Sequence, residues 1–213
     1  MQDLEKLILH YEFGNKIISL GFDEKLRQYI ARWIKEDDKV LEIGIGPGSF
    51  IKHVRASEIT CVDPSEKMLL YTKMRFQKKN ISCYHGFAEN LPFKAEMFDK
   101  IYCVFSFRDF FNKRASLKEA YRVLKKNGLL IIMDIANRKN IITFGYTVFL
   151  AIIGRFVSRI MGFKNNIYND LIKTIKIMKK PEDYKKMAID VGFRKVYIEY
   201  RMFGVVFIMY AIK

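Results

Sequence analysis

The run Val40-Leu41-Glu42-Ile43-Gly44-Ile45-Gly46-Pro47-Gly48-Ser49 holds the residues best placed to do chemistry. An apolar stretch, an acid and three alternating glycines read as a strand that turns into a helix around a ligand. Gly44, Gly46 and Gly48 carry no Cβ, so the backbone can bend sharply there and approach a bound molecule. Glu42, at the strand end, can accept a hydrogen bond from a cationic amine, whereas it would repel a pyrophosphate. The nicotinamide fingerprint G-x-G-x-x-G would also need glycine at position 49, which is Ser49. The pattern E-x-G-x-G-x-G therefore favours a positively charged sulfonium nucleoside with an amino-acid tail, S-adenosylmethionine, over a dinucleotide.

Asp63 follows Gly44 by 19 residues and closes a second apolar stretch. A carboxylate there can accept two hydrogen bonds from ribose hydroxyls. It can equally cap a helix that starts near Ser65. Pro64 belongs to the same turn, and Met68 can pack on the ribose or adenine or fill the core. The segment Gly86-Phe87-Ala88-Glu89-Asn90-Leu91-Pro92-Phe93 follows a third stretch and is placed to meet the adenine. There Phe87 can stack on the ring and the backbone of Ala88 can read its edge. Glu89, and Val104 at the end of a fourth stretch, complete the candidate cofactor set.

These residues must be held by strands and helices. Hydrophobic periodicity predicts amphipathic helices over 3–19 and 23–36, the second with Leu26, Tyr29, Ile30, Trp33 and Ile34 at helical spacing. Strands are predicted at Val40–Gly44, Ile59–Val62, Ile81–Tyr84, Lys100–Val104 and Leu129–Ile135, with helices near 65–78 and 114–125. This alternation implies an α/β fold. We expect a Rossmann-like, seven-stranded, mostly parallel sheet with an antiparallel edge strand and helices on both faces. Ligands of such sheets bind at the carboxyl ends of the strands. Residues 141–163 are apolar except Arg155 and Arg159, and their charge-free part is too short to span a bilayer. A buried or interfacial helix is expected there. Another helix is expected over 181–191, opened by Pro181, Glu182 and Asp183. The runs Lys195–Tyr200 and Val205–Ile212 then pair antiparallel at the sheet edge. The whole chain reads as one domain: helices over 1–37, a cofactor core over 38–135, a helical substrate cover over 136–192 and a closing hairpin over 193–213.

Composition narrows the setting. The chain has 213 residues, half of them apolar, which suits one packed core. Its opening lacks the pattern of a signal peptide, so a cytoplasmic location is expected. Cys61, Cys83 and Cys103 show no metal or redox spacing and fall in predicted strands, which suggests buried, inert thiols. No metal is expected. His10, His53 and His85 are isolated and read as structural. Net charge is +15, and residues 138–213 carry 15 Lys/Arg against 5 Asp/Glu. That bias suggests an anionic neighbour such as a phospholipid surface, or only a solvated basic face.

From residue 38 to 135 the order of motifs resembles the class I S-adenosylmethionine-dependent methyltransferases. Further segments resemble one branch, the ubiquinone/menaquinone biosynthesis C-methyltransferases of the UbiE type. They are Tyr11-Glu12-x-x-Asn15-x-x-x-Ser19-Leu20-Gly21, Phe105-Ser106-Phe107-Arg108-Asp109, Glu119-Ala120-Tyr121-Arg122-Val123-Leu124-Lys125-Lys126-Asn127-Gly128, Tyr168-x-x-Leu171-x-x-Thr174-Ile175, Ala188-x-x-x-Gly192-Phe193 and Phe203-Gly204-Val205-Val206. The chain departs from that family at Ser49 and Phe87, where an acid is usual, and at Asp109, where asparagine is usual.

The resemblance implies methyl transfer to a ring carbon of a quinone-like, apolar small molecule. Carbon attacks only when a neighbouring phenol has lost its proton. Arg108 is then the candidate to stabilise the phenolate, with Asp109 or Tyr11 as base. Residues 141–163 can line the acceptor's apolar route or touch an anionic membrane peripherally. Rival readings are an O- or N-methyltransferase of a soluble small molecule, a nucleic-acid methyltransferase and a non-catalytic binding protein. Nucleic acid is not the expected partner, since no N/D-P-P-Y motif, Pro-Cys pair or RNA-binding module is recognisable.

Overall fold

The computed structural model describes Ser19, residues 21–160 and residues 169–213. Tyr11, His10, the expected helix over 3–19 apart from Ser19, and residues 161–163 lie outside the described residues. The described elements are α1 (Asp23–Ala31), β1 (Lys39–Ile43), β2 (Glu58–Asp63), α2 (Glu66–Arg75), β3 (Ile81–His85), β4 (Phe98–Val104), α3 (Lys113–Val123), β5 (Leu124–Ile135), α4 (Ile141–Ile160), α5 (Asn169–Ile177), α6 (Pro181–Val191), β6 (Lys195–Arg201) and β7 (Val206–Ile212).

One seven-stranded sheet has the order β3-β2-β1-β4-β5-β7-β6. The first five strands are parallel, and the β6–β7 hairpin closes the edge with β7 antiparallel to β5. Strand order reverses between β1 and β4, so their carboxyl ends flank the crevice where α/β sheets bind ligands.

Alternation along the strands explains the two helical layers. Leu41 and Ile43 face one side, where Leu117 and Ala120 of α3 and Tyr184 and Ala188 of α6 cover them. Val40 and Tyr102 face the other, against Leu26 and Ile30 of α1 and Leu69 of α2. The side chain at position 42 therefore shares the α1 side of the sheet with that of Val40.

Several expected boundaries shift. Helix α1 stops at Ala31 rather than residue 36, and the Asp38 carboxylate accepts the Lys35 amide at 2.7 Å in the turn that follows. Strand β5 starts at Leu124, because Leu124 pairs with Phe98 before a register shift brings Leu129 opposite Lys100. The predicted helix over 114–125 accordingly ends at Val123. Helix α6 spans the expected residues, with Pro181 in its first turn.

Helix α4 turns Thr143, Thr147, Leu150 and Val157 inward, with Leu150 packed against Ile135 and Ile175. Ile141, Phe144, Val148, Ile152 and Phe156 are exposed, so the helix is a half-covered element rather than a buried one. By length and composition alone, Ile141–Arg159 would be long and apolar enough to cross a membrane, although its charge-free part is shorter. The thiols of Cys61 and Cys103 are buried as expected, but Cys83 is half-buried. It stands opposite Cys61 on the neighbouring strand with the two sulfurs 3.1 Å apart.

Candidate active site

The glycine turn after β1 is shaped by its contacts. Gly44 has φ +75°, and a Cβ there would lie 2.4 Å from the Ser106 Cβ. Ser106 in turn donates from Oγ to the Ile43 carbonyl at 2.8 Å, so β4 and the turn lock together across the crevice. Gly46 has φ +52°, yet a Cβ on it would meet nothing within 4 Å. At that point the turn faces open space rather than packed protein.

Asp63 ties this turn to the next one. Its Oδ2 accepts the Gly46 amide and its Oδ1 accepts the Ser65 amide, each at 2.9 Å. Asp63 therefore orders the loop and the start of α2 while also lining the cavity at this crevice, but it is not the cap of α2. The Ser65 hydroxyl caps α2 at the Met68 amide.

A cavity of about 230 Å³ opens here, lined by Gly44, Gly46, Asp63 and Pro64 on one side. Phe87, Ala88, Glu89 and Val104 line the opposite side. Phe111, 85% exposed, stands at the rim with its ring centroid 6.1 Å from that of Phe87, forming an aromatic mouth suited to a flat base. Glu89 accepts the Asn112 amide at 2.9 Å and so fastens the 87–90 loop to the start of α3.

Glu42 does not itself line this cavity, although its chain neighbours Ile43 and Gly44 do; it is only 1% exposed, and its Oε2 has no hydrogen-bond partner among the described residues. Burial pushes its pKa up to about 8, with Asp63 adding to the rise and Arg27 opposing it. An orphaned buried acceptor needs a donor. An open glycine turn, an acid under it, a second acid at the ribose position and an aromatic mouth fit S-adenosylmethionine, and they do not fit a phosphate-rich ligand.

The segment after β4 carries Arg108 and Asp109 in a 3₁₀ turn. Asp134, fully buried at the end of β5, holds this turn. Its Oδ2 accepts the Arg108 amide at 2.8 Å and its Oδ1 accepts Arg108 Nη1 at 3.0 Å. Arg108 Nη2 lies 3.4 Å from the Asp109 carboxylate. Burial raises the Asp109 pKa against the opposing pull of Arg108. The two neighbours line different spaces. Asp109 lines the larger cavity. Arg108 lines a smaller one of about 30 Å³, together with Ser19, Phe105, Tyr146, Leu171 and Met202. Arg27 and Phe105 line both.

Over residues 2–213 the sequence matches the ubiE/COQ5 methyltransferase family. The chain belongs to this family. A demethylmenaquinone methyltransferase of Thermotoga maritima is 31% identical over 201 residues, covering 91% of this chain and 87% of that one. A ubiquinone/menaquinone biosynthesis C-methyltransferase of Geotalea daltonii is 28% identical over 173 residues, covering 72% of each. Among solved structures, a SAM-dependent methyltransferase of T. maritima aligns over the full length of both chains with TM-score 0.69 and 22% identity. One from Aquifex aeolicus aligns over 93% of this chain and 97% of its own with TM-score 0.64 and 19% identity. These two likenesses establish the Rossmann-like methyltransferase fold. The protein is an S-adenosylmethionine-dependent methyltransferase.

In this ubiE/COQ5 family member, most sequence-predicted cofactor residues converge on the larger cavity. Glu42, Gly48 and Met68 do not line it. A Cβ on Gly48 would strike Phe76 at 2.7 Å, so this glycine serves packing behind the turn. Arg27 and Asp134 escaped the sequence reading, although each left a signal. Arg27 is a cation next to Leu26 and one turn before Ile30 on an apolar helix face, and Asp134 is an acid within the apolar run Leu129–Ile135.

Proposed function

We propose that this enzyme transfers the methyl group of S-adenosylmethionine to a ring carbon of a quinol-like, apolar aromatic acceptor. The single observation that carries this reading is the juxtaposition of two cavities separated by Arg27 and Phe105, one fitted to the cofactor and one lined by Arg108. The curated relatives named for demethylmenaquinone methylation support it. When bound, the cofactor supplies an electrophilic methyl group on a cationic sulfur.

The chain's own residues do the rest. Glu42, Asp63, Ala88 and Glu89 hold and orient the cofactor, with Phe87 against its base. Arg108 is always cationic and is positioned by Asp134, so it stabilises the acceptor oxyanion that makes the ring carbon nucleophilic. Asp109, whose carboxyl is shifted upward, lines the cofactor cavity rather than the smaller one, but its carboxylate lies 3.4 Å from Arg108 Nη2, so it takes the phenol proton only from an acceptor oxygen held between the two cavities. Tyr11 is the alternative base. At about 30 Å³ the smaller cavity is narrower than a ring, so its lining must give way for the acceptor to enter. Labelled cofactor incubated with a lipid extract should yield a product whose label resists base hydrolysis and sits on a ring carbon by mass spectrometry. Label on oxygen or nitrogen would refute the carbon assignment.

We further propose a cytoplasmic protein that meets its acceptor at an anionic membrane surface through residues 141–163. The exposed stripe Ile141, Phe144, Val148, Ile152 and Phe156 supports this, as do the exposed Arg155 and Arg159 on the same helix. The protein should co-sediment with phosphatidylglycerol vesicles at low salt, and a Phe144→Asp/Phe156→Asp variant should stay in the supernatant. Equal recovery of the unaltered protein with and without vesicles would refute membrane contact.

A further inference from the structure

We infer that Arg27 and Glu42 together clamp the amino-acid end of the cofactor, the guanidinium on its carboxylate and Glu42 on its ammonium. This rests on S-adenosylmethionine being the cofactor. The cofactor's tail is a zwitterion, with both charges on one carbon. A site that buries it must offer an anion and a cation side by side, since an unmatched buried charge is costly.

The structure offers this pair on the α1 side of the sheet. Arg27 is 5% exposed in the middle of α1 and lines the cofactor cavity next to Gly44 and Ile45. Its neighbours Leu26 and Ile30 pack with Val40 of β1, the strand that carries Glu42. The helix therefore brings its cation to the same face of the sheet as the acid. The charges sense each other, for Arg27 draws the Glu42 pKa downward, yet Glu42 Oε2 still has no hydrogen-bond partner among the described residues.

Arg27 makes an ion pair with Asp23 at the long distance of 4.0 Å through Nε, and Asp23 Oδ1 accepts the Ser19 hydroxyl at 2.9 Å. The guanidinium lies over the Phe105 ring, 5.3 Å from its centroid. That packing orients the planar fork, which matches a carboxylate better than an ammonium group would. Arg27 would thus be a cofactor-binding residue supplied by α1, outside the glycine turn and the two acids that mark the cofactor site in the sequence.

The test is a four-way calorimetric comparison of S-adenosylmethionine and its decarboxylated form, each titrated into the unaltered protein and Arg27→Met. The unaltered protein should prefer the carboxylated ligand by about tenfold or more, as for a charge-assisted hydrogen bond. In Arg27→Met that preference should vanish, while affinity for the decarboxylated ligand changes little. Arg27→Lys should restore part of the preference. A preference that persists in Arg27→Met would overturn the inference, as would an equal loss for both ligands, which would mark Arg27 as a support of the fold. Unchanged cofactor binding with a raised acceptor KM would also overturn it, assigning Arg27 to the acceptor. Failure of the unaltered protein to bind either ligand would instead bring down the cofactor assignment itself.

Discussion

Asp134→Ala should lower stability by about 3–5 kcal/mol, because it removes the fully buried carboxylate that the Arg108 guanidinium is paired with. Three donors lose an acceptor at once: the Arg108 amide, Arg108 Nη1, which keeps the Phe105 carbonyl, and the Ile135 amide. The 3₁₀ turn at 107–109 then loses its tie to β5, and Arg108 drifts from the smaller cavity. Displacing a group that stabilises developing charge typically costs on the order of a hundredfold in rate. kcat should therefore fall by about that factor. Cofactor affinity should hold within a few-fold, since neither Arg108 nor Asp134 lines the larger cavity. Asp134→Asn keeps one acceptor oxygen and should fall between the two. Urea unfolding, calorimetry with the cofactor and steady-state rates read the three quantities separately. A variant with unaltered stability and kcat would show that Asp134 does not position Arg108.

Glu42→Gln should move stability and function in opposite directions. In the folded protein the Glu42 pKa is pushed up to about 8, from an ordinary value of 4.5. The folded state therefore holds the proton more tightly than the unfolded chain. At pH below 4.5 both states are protonated and the acid costs nothing. As pH rises toward about 8 the unfolded chain ionises first and native stability falls by several kcal/mol in total. The slope across that interval is on the order of 1.4 kcal/mol per pH unit. Above that pH the loss is constant. The groups that bear on it are Arg27 from α1, Asp63 from β2 and the neighbouring thiols Cys61 and Cys103.

The amide of Glu42→Gln carries no such penalty. That cofactor-free variant should be the more stable protein at pH 8, with the gap closing toward pH 5. Its cofactor affinity should drop by about 10–100-fold, the worth of a hydrogen bond to a charged group. In the unaltered enzyme, the cofactor ammonium selects the ionised acid, so binding should release a proton and tighten as pH rises toward 8. Denaturant titrations at pH 5 and pH 8 check the first claim, and calorimetry in buffers of different ionisation enthalpy checks the second. A stability gap that does not change with pH would contradict the assigned burial of charge. Glu42 is thus a group kept at a cost to the empty protein because it serves the loaded one.

Local spacing alone carried much of this protein. Strand-then-helix alternation, the glycine turn at 44–48, Glu42 before it and Asp63 closing the next strand were readable because each depends on residues near in sequence. A strand has a period of two and a turn needs residues without a Cβ, whatever lies across the sheet. The start of β5 was misplaced for the complementary reason. Leu124 becomes a strand residue only because Phe98 lies beside it, and no local pattern announces that pairing.

The same division runs through the site. The family resemblance singled out Arg108 and Asp109 as a pair, but only the fold assigned them to separate cavities, since a 3₁₀ turn sends adjacent side chains in different directions. It also brought Asp134 to Arg108 across 26 residues, because β4 and β5 are neighbours in the sheet. Arg27 comes to the same side of the sheet as Glu42 because α1 packs on the face toward which alternate β1 side chains point. Helix packing and strand order set those distances, and they are properties of the folded chain as a whole.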